Sequence, residues 1–406
     1  MPGITHWQSP RFFAYFPANS SAPSILAEMI TAALGAQCMI WETSPSAAEL
    51  EEKMMNWIRD IIGLPSNFEG VIQDTASTAA LAALITARER ISGFRINEKG
   101  FMDEPVYRVY GSNQTHSSIE KAVKIAGFGR DNLVKVGVRD DHSLDPGQLS
   151  EAIENDLSKG YKPCCVVATV GTTGSVAIDP VKEIGEICKR YNIWLHVDAA
   201  LAGTALILPE YSWMIEGKEY IDSFVFNPHK WMFTNFDCSA YFVKDADILI
   251  KTFEILPEYL KTRTRGQVND YRDWGIPLGR RFRALKLWFV IRSFGLNGLR
   301  EKVRNHISYA SWLAEQIKEH PGFEMTAPLS LNTVCFRYKP AGKSDESLNK
   351  INEILNHKLN DTGKMYLTHT KINGNYSLRM VTSQTNVKLE HIREAWNLIT
   401  ETASGI

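Results

Sequence analysis

Trp194-Leu195-His196-Val197-Asp198-Ala199-Ala200 and, further on, Ser223-Phe224-Val225-Phe226-Asn227-Pro228-His229-Lys230-Trp231 decide how this chain folds. Each begins as a short apolar run rich in β-branched and aromatic residues, of the length a buried strand has, and stops on ionisable side chains. Lys230 follows Asp198 by 32 residues, a distance that fits one crossover between parallel strands of one sheet. Ligands of open α/β sheets bind beyond the carboxyl ends of the strands, so the residues that end these runs are candidates for a site. Taken singly, Asp198 reads as a loop cap and Lys230 as a solvated charge.

The same alternation extends on both sides. Strands are predicted at 106–110, 164–170, 194–197, 223–226 and 240–243, with helices at 76–91, 117–125, 146–158 and 180–191. Pro146 and Pro180 sit in the first turn of their helices, where a missing N–H costs nothing. Strands alternating with helices imply a mostly parallel sheet covered on both faces. A long helix is expected from 278, with Leu278, Phe282, Leu285 and Phe289 forming one apolar stripe. After a break at Gly295 to Gly298 the pattern changes to helix 299–319, strand 333–338, helix 345–360, strands 365–370 and 376–381, and helix 389–402. The reading is an α/β chain with a large domain and a small C-terminal α+β domain.

With 406 residues the chain is too long for a single hydrophobic core. Lys+Arg 45 against Asp+Glu 46 leaves a net charge of -1, which gives no pull toward nucleic acid or a membrane surface. No apolar run approaches the roughly 20 residues of a membrane span, and no export signal opens the chain. Six cysteines lie scattered without CxxC spacing, which argues against a zinc site or a disulfide framework and makes a reducing cytoplasm the default. No GxGxxG follows a strand, so a nicotinamide-binding domain is disfavoured.

Two further segments carry chemistry. Asp74-Thr75-Ala76-Ser77-Thr78 precedes an Ala-rich helix whose free N–H groups suit an anion, although plain N-capping explains the same residues. Tyr110 to Ser118 follows a strand and opens a helix, which brings His116 toward the same cleft.

The stretches HVDAA (196–200) and NPHKW (227–231) together resemble the group II decarboxylases of the fold-type I superfamily that depend on pyridoxal 5'-phosphate (PLP), most closely the aromatic-L-amino-acid decarboxylases. That resemblance implies a large seven-stranded-type sheet domain at 21–296 and a small domain at 297–406. Ahead of them it implies an aromatic substrate-wall segment at 1–20, with the family's preceding helical segment expected to be absent. It implies a Schiff base between Lys230 and PLP, a carboxylate, Asp198, under the pyridine nitrogen, and His116 stacked on the ring and bonded to the substrate carboxylate. Ala76, Ser77, Asn227 and His229 match phosphate-binding residues, and Thr172 and Ala200 match residues lining the cofactor.

Within the segment 255–269, which by composition alone reads as a basic surface loop, Tyr259 matches the tyrosine that returns a proton to the substrate Cα. Trp7, Tyr15, Phe16 and Pro17 match an aromatic substrate wall, with Gln37, Met39 and Gly279 also at the pocket. Arg379 is read as structural. The implied activity is decarboxylation of an aromatic L-amino acid (Dopa, 5-hydroxytryptophan, tryptophan, tyrosine or phenylalanine) in a cytoplasmic homodimer with sites at the interface. Two alternatives stay open: another group II reaction, on a non-aromatic amino acid or forming an aldehyde, and a catalytically silent PLP-binding paralogue.

Overall fold

The computed structural model describes residues 3–255 and 268–406. Its first seven strands are β1 (Glu69–Gln73), β2 (Tyr107–Ser112), β3 (Leu133–Val136), β4 (Lys162–Thr169), β5 (Trp194–Asp198), β6 (Ser223–Phe226) and β7 (Ser239–Val243). They form one sheet in the order β1-β7-β6-β5-β4-β2-β3. β3, β2, β4, β5 and β6 run parallel, while β7 pairs antiparallel with both β6 and β1. Every residue of β5, β6 and β7 is buried, because helices cover both faces.

The four remaining strands, β8 (Phe323–Met325), β9 (Thr333–Tyr338), β10 (Thr368–Ile372) and β11 (Asn375–Val381), make an antiparallel sheet in the order β10-β11-β9-β8. The N-terminal segment is tied to it. Phe13, fully buried in the small-sheet core, donates its N–H to Tyr366 O at 2.9 Å and accepts from Val381 N at 3.0 Å.

Three strands, β1, β3 and β8, carry too weak a pattern to be seen in the sequence. β1 holds Gly70 opposite Phe242, and a Cβ there would come within 2.7 Å of the Phe242 ring. The glycine that makes the segment look unlike a strand is what lets β7 lie beside it.

The stripe expected from Leu278 is corrected. The helix starts at Arg283, Leu278 is 51% exposed, and the buried face is Ala284, Leu287, Val290 and Ile291. That helix then runs on to Glu319 through a kink at Gly295 (φ 65, ψ 165), a left-handed φ that glycine takes without strain. Its residues up to Val303 belong to the large-sheet core, and those from Ala310 pack with the small sheet.

Candidate active site

The parallel register of β5 and β6 pairs Asp198 with Val225, so Asp198 and the turn after Phe226 emerge at the same sheet edge. Pro228–Trp231 is a single helical turn entered from Asn227, with Lys230 N bonded to Asn227 O at 2.9 Å. Lys230 and Asp198 line one cavity of about 260 Å³ together with Phe16, Ala76, Ser77, His116, Ala200, Asn227 and His229. Residues scattered over two hundred positions of sequence are thus brought together.

Burial pushes the Lys230 amine down to about 8, with the Arg379 charge adding to the effect and Asp198 opposing it. A buried amine tuned this far holds about a tenth of its neutral, nucleophilic form at pH 7, far more than an ordinary lysine does. Its Nζ lies 5.0 Å from the centre of the Phe16 ring.

One end of the cavity is built from hydrogen-bond donors. Thr75 caps the helix Ala76–Ser92 by accepting from Thr78 N, and the N–H groups of Ala76 and Ser77 meet no acceptor among the described residues. His229 Nδ1 accepts Cys238 N–H at 2.9 Å, which leaves the imidazole proton on Nε2. Burial, followed by the Lys230 charge, pushes its pKa down to about 3, so the ring is a neutral donor. The Ser239 hydroxyl donates to Asn227 Oδ1 at 2.7 Å, which frees the Asn227 amide N–H groups for the cavity. These donors surround a place for a multiply charged oxyanion.

Elsewhere in the cavity, Asp198 accepts Ala200 N–H at 3.0 Å and keeps the rest of its carboxylate for a ligand. His116 caps the helix Ser117–Ile125: its Nδ1 accepts Ser118 N–H at 3.2 Å, so its proton too sits on Nε2. Desolvation, and behind it the Lys230 charge, lowers its pKa.

Several expected residues stand differently. Thr172 lies behind the wall, where its hydroxyl accepts Ala177 N–H at 3.0 Å; Thr169, Gly171 and Thr173 reach the cavity in its place. Of the aromatic segment, Phe16 lines the cavity, Tyr15 is exposed with Trp7 stacked on it at 5.6 Å, and Pro17 is buried. Gln37, Met39 and Gly279 are not in this cavity. Gln37 Oε1 instead accepts Arg280 N–H at 2.6 Å, beside Gly279 on the outer surface.

Arg379 donates to Gly174 O at 3.1 Å and Tyr15 O at 2.9 Å and lies 4.5 Å over the Phe16 ring. Tyr259 falls outside the described residues. Thr75, Ser118 and Phe236 also line the cavity and were not foreseen. Thr169 could have been, since it ends a buried strand at the ligand edge.

The profile of the pyridoxal-dependent decarboxylase conserved domain matches residues 1–339. The chain belongs to that family. Phenylacetaldehyde synthase of Arabidopsis thaliana is 42% identical over 415 residues, covering 100% of this chain and 84% of the relative. Tryptophan decarboxylase 2 of Oryza sativa subsp. japonica is 42% identical over 417 residues, covering 100% and 83%. The crystal structure of Oryza sativa TDC with PLP and tryptamine superposes with a TM-score of 0.97 at 37% identity, covering 100% of this chain and 85% of that one. This pyridoxal-dependent decarboxylase therefore uses PLP in a fold-type I framework. The cavity suits that cofactor: donors for a phosphate and a carboxylate for a ring nitrogen flank a lysine of lowered pKa.

Proposed function

We propose that the chain decarboxylates an aromatic L-amino acid to its amine and CO2, with Lys230 as the cofactor lysine. The observation that carries this is the cavity in which Lys230, Asp198, His116 and the phosphate-type donors converge. Tyrosine and tryptophan decarboxylases and an aromatic-L-amino-acid decarboxylase among the relatives support the substrate class.

Bound PLP supplies an electron sink for the pair released when CO2 leaves Cα. The residues do the rest. Ala76, Ser77, Asn227 and His229 hold the phosphate, and Asp198 keeps the pyridine nitrogen protonated. Ala200 lines the ring. The amine of Lys230, with its lowered pKa, is the group that would hold the cofactor covalently and give way to the substrate amine. His116, neutral with its proton on Nε2, donates to the substrate carboxylate. A carboxylate loses its charge in this reaction, so a neutral donor is better suited than an arginine clamp, which would favour the ground state. Arg379 is already committed to two main-chain carbonyls. Tyr259 then protonates Cα.

The substrate side of the site is completed by a second copy of the chain. The helix Ala22–Leu34 buries Ser24, Ala27 and Thr31 and exposes Ile25, Leu26, Met29, Ile30 and Leu34, an apolar face of the kind that pairs subunits. Gln37, Met39 and Gly279 lie apart from the Lys230 cavity of their own chain, and in the dimer they serve the neighbouring one, facing Trp7, Tyr15, Phe16 and Pro17. A cytoplasmic setting fits six cysteines that are all free and buried. Among the described residues no helix is long and apolar enough to cross a membrane.

Incubation with PLP and a panel of amino acids, quantifying amine, aldehyde and peroxide, tests the assignment. Amine with CO2 and no peroxide is expected. Aldehyde with peroxide would transfer the chain to the reaction of its phenylacetaldehyde synthase relative, which the Tyr259 hydroxyl argues against. Lys230→Ala should remove both turnover and the visible absorption of the lysine-bound cofactor.

A further inference from the structure

Asn19 is buried and fully engaged, yet no part of the chemistry above uses it. Its Nδ2 donates to Lys230 O at 2.8 Å and to Ser383 O at 2.7 Å. Its Oδ1 accepts Thr385 N–H at 3.0 Å, and its own N–H donates to His229 O at 3.1 Å. The amide orientation is dictated by these partners: turned over, the oxygen would face two carbonyls and the NH2 group would face an N–H. Asparagine alone meets the demand, since aspartate would press a carboxylate on two carbonyl oxygens and alanine would leave three buried main-chain groups unpaired.

Its partners belong to different parts of the molecule. His229 and Lys230 form the turn at the large-sheet edge, whereas Ser383 and Thr385 follow β11 of the small sheet. Three residues back, the Phe16 ring meets both the Lys230 amine, at 5.0 Å from its centre, and the Arg379 guanidinium of β11, at 4.5 Å. The main chain of Lys230 and its side chain are thereby both referred to β11 through one short stretch, 16–19.

We infer that Asn19 is a positioning residue for Lys230, clamping the cofactor lysine to the small-sheet segment 383–385 so that seating that sheet and presenting the amine are one event. The inference rests on Lys230 being the cofactor lysine.

The test compares Asn19→Ala and Asn19→Asp with Gln384→Ala. The last breaks another buried bond of the same segment 383–385, from Gln384 Nε2 to Phe12 O at 2.8 Å, on its N-terminal-segment side and without touching the lysine turn. Each full-length variant is measured for melting temperature, for PLP affinity and visible spectrum, and, without PLP, for amide exchange in 228–232.

Asn19→Ala is expected to bind PLP about tenfold more weakly and to exchange faster at 228–232, because buried carbonyls lose their donors. Gln384→Ala is expected to lose melting temperature with both readouts kept. Asn19→Asp should approach wild-type PLP affinity at low pH, where the neutral acid still donates one bond. It should fall behind wild type as pH rises and the carboxylate forms against Lys230 O and Ser383 O. This pH-dependent gap survives as a readout if the alanine variant does not fold.

Asn19 variants that match Gln384→Ala, with PLP affinity, spectrum and 228–232 exchange unchanged and no widening gap with pH, would overturn the inference alone. A Lys230→Ala protein that kept the lysine-type absorption would overturn the assignment of Lys230 and this inference with it.

Discussion

Replacing Glu51 by leucine should cost this protein about 3–5 kcal/mol, out of proportion to its distance from the chemistry. Glu51 and Arg280 form a two-pronged pair, Nη2 to Oε1 at 2.5 Å and Nη1 to Oε2 at 3.1 Å, with side-chain exposures of only 2% and 7%. Glu51 also accepts Ile72 N–H at 2.8 Å, and Arg280 donates to Ile72 O at 2.8 Å. Counting each bond to a charged group at about 1.5–3 kcal/mol would give a larger total. That sum overshoots, because bringing both charges out of water has already consumed much of it.

What Glu51→Leu loses is compensation: a guanidinium stays buried without its carboxylate, and Ile72 N–H without its acceptor. Glu51→Leu/Arg280→Met should recover most of the loss, which makes the coupling between the two sites strongly favourable in a double-mutant cycle. Thermal and urea unfolding of the four proteins with PLP present provide the measurement. A loss below about 1 kcal/mol in the single variant, or a double variant as weak as the sum of the singles, would refute the picture of a desolvated pair. Activity should fall with stability here, because Arg280 N–H holds Gln37 and directly follows Gly279.

Three other outcomes can be checked. His196, His229 and His306 are buried, and desolvation leads the causes that push them to about 4, about 3 and about 3, below an unfolded value near 6.5. The unfolded chain therefore binds the extra protons. Stability is whole above pH 6.5 and drains as pH falls toward 4, by roughly 1.4 kcal/mol per pH unit for each ring. His306→Gln, which keeps an acceptor for Trp231 Nε1, should flatten that slope by one proton in unfolding measured at pH 7, 6 and 5; a curve parallel to wild type would exclude the ring. Gly279→Ser would place a Cβ 3.3 Å from Gln37 Nε2, so kcat/KM should drop more for tryptophan than for phenylalanine, and an unchanged ratio would remove Gly279 from the pocket. Met29→Glu, at a position 64% exposed on the helix Ala22–Leu34, should yield monomers in sedimentation and lose turnover, whereas an active monomer would contradict a shared site.

Much of the machinery was legible because parallel α/β sheets obey a local rule. Apolar runs of strand length mark buried strands, and the polar residues that end them are candidates for a site, so strand pattern and spacing brought Asp198 and Lys230 forward as candidates, while the resemblance to the group II decarboxylases supplied their roles. The helix start at Ala76 could be read as a candidate anion site for a similar reason, since its free N–H groups are advertised in one short segment, although the Thr75 cap explains the same residues by itself.

What the sequence could not determine depends on neighbours distant along the chain. Gly70 speaks against a strand until Phe242 is seen across from it. The spacing of Leu278, Phe282, Leu285 and Phe289 looks like a buried stripe, but the direction of the core is set by packing and selects Ala284, Leu287, Val290 and Ile291. Which threonine of the Gly/Thr turn meets the cavity is settled by the fold of the turn, which spends Thr172 on Ala177. Asn19 carries no local signal, because its four partners lie more than two hundred residues away and converge only when both sheets are in place. Strand chemistry is a property of short windows and can be read from them, whereas burial, register between distant segments and the satisfaction of a buried amide belong to the tertiary structure alone.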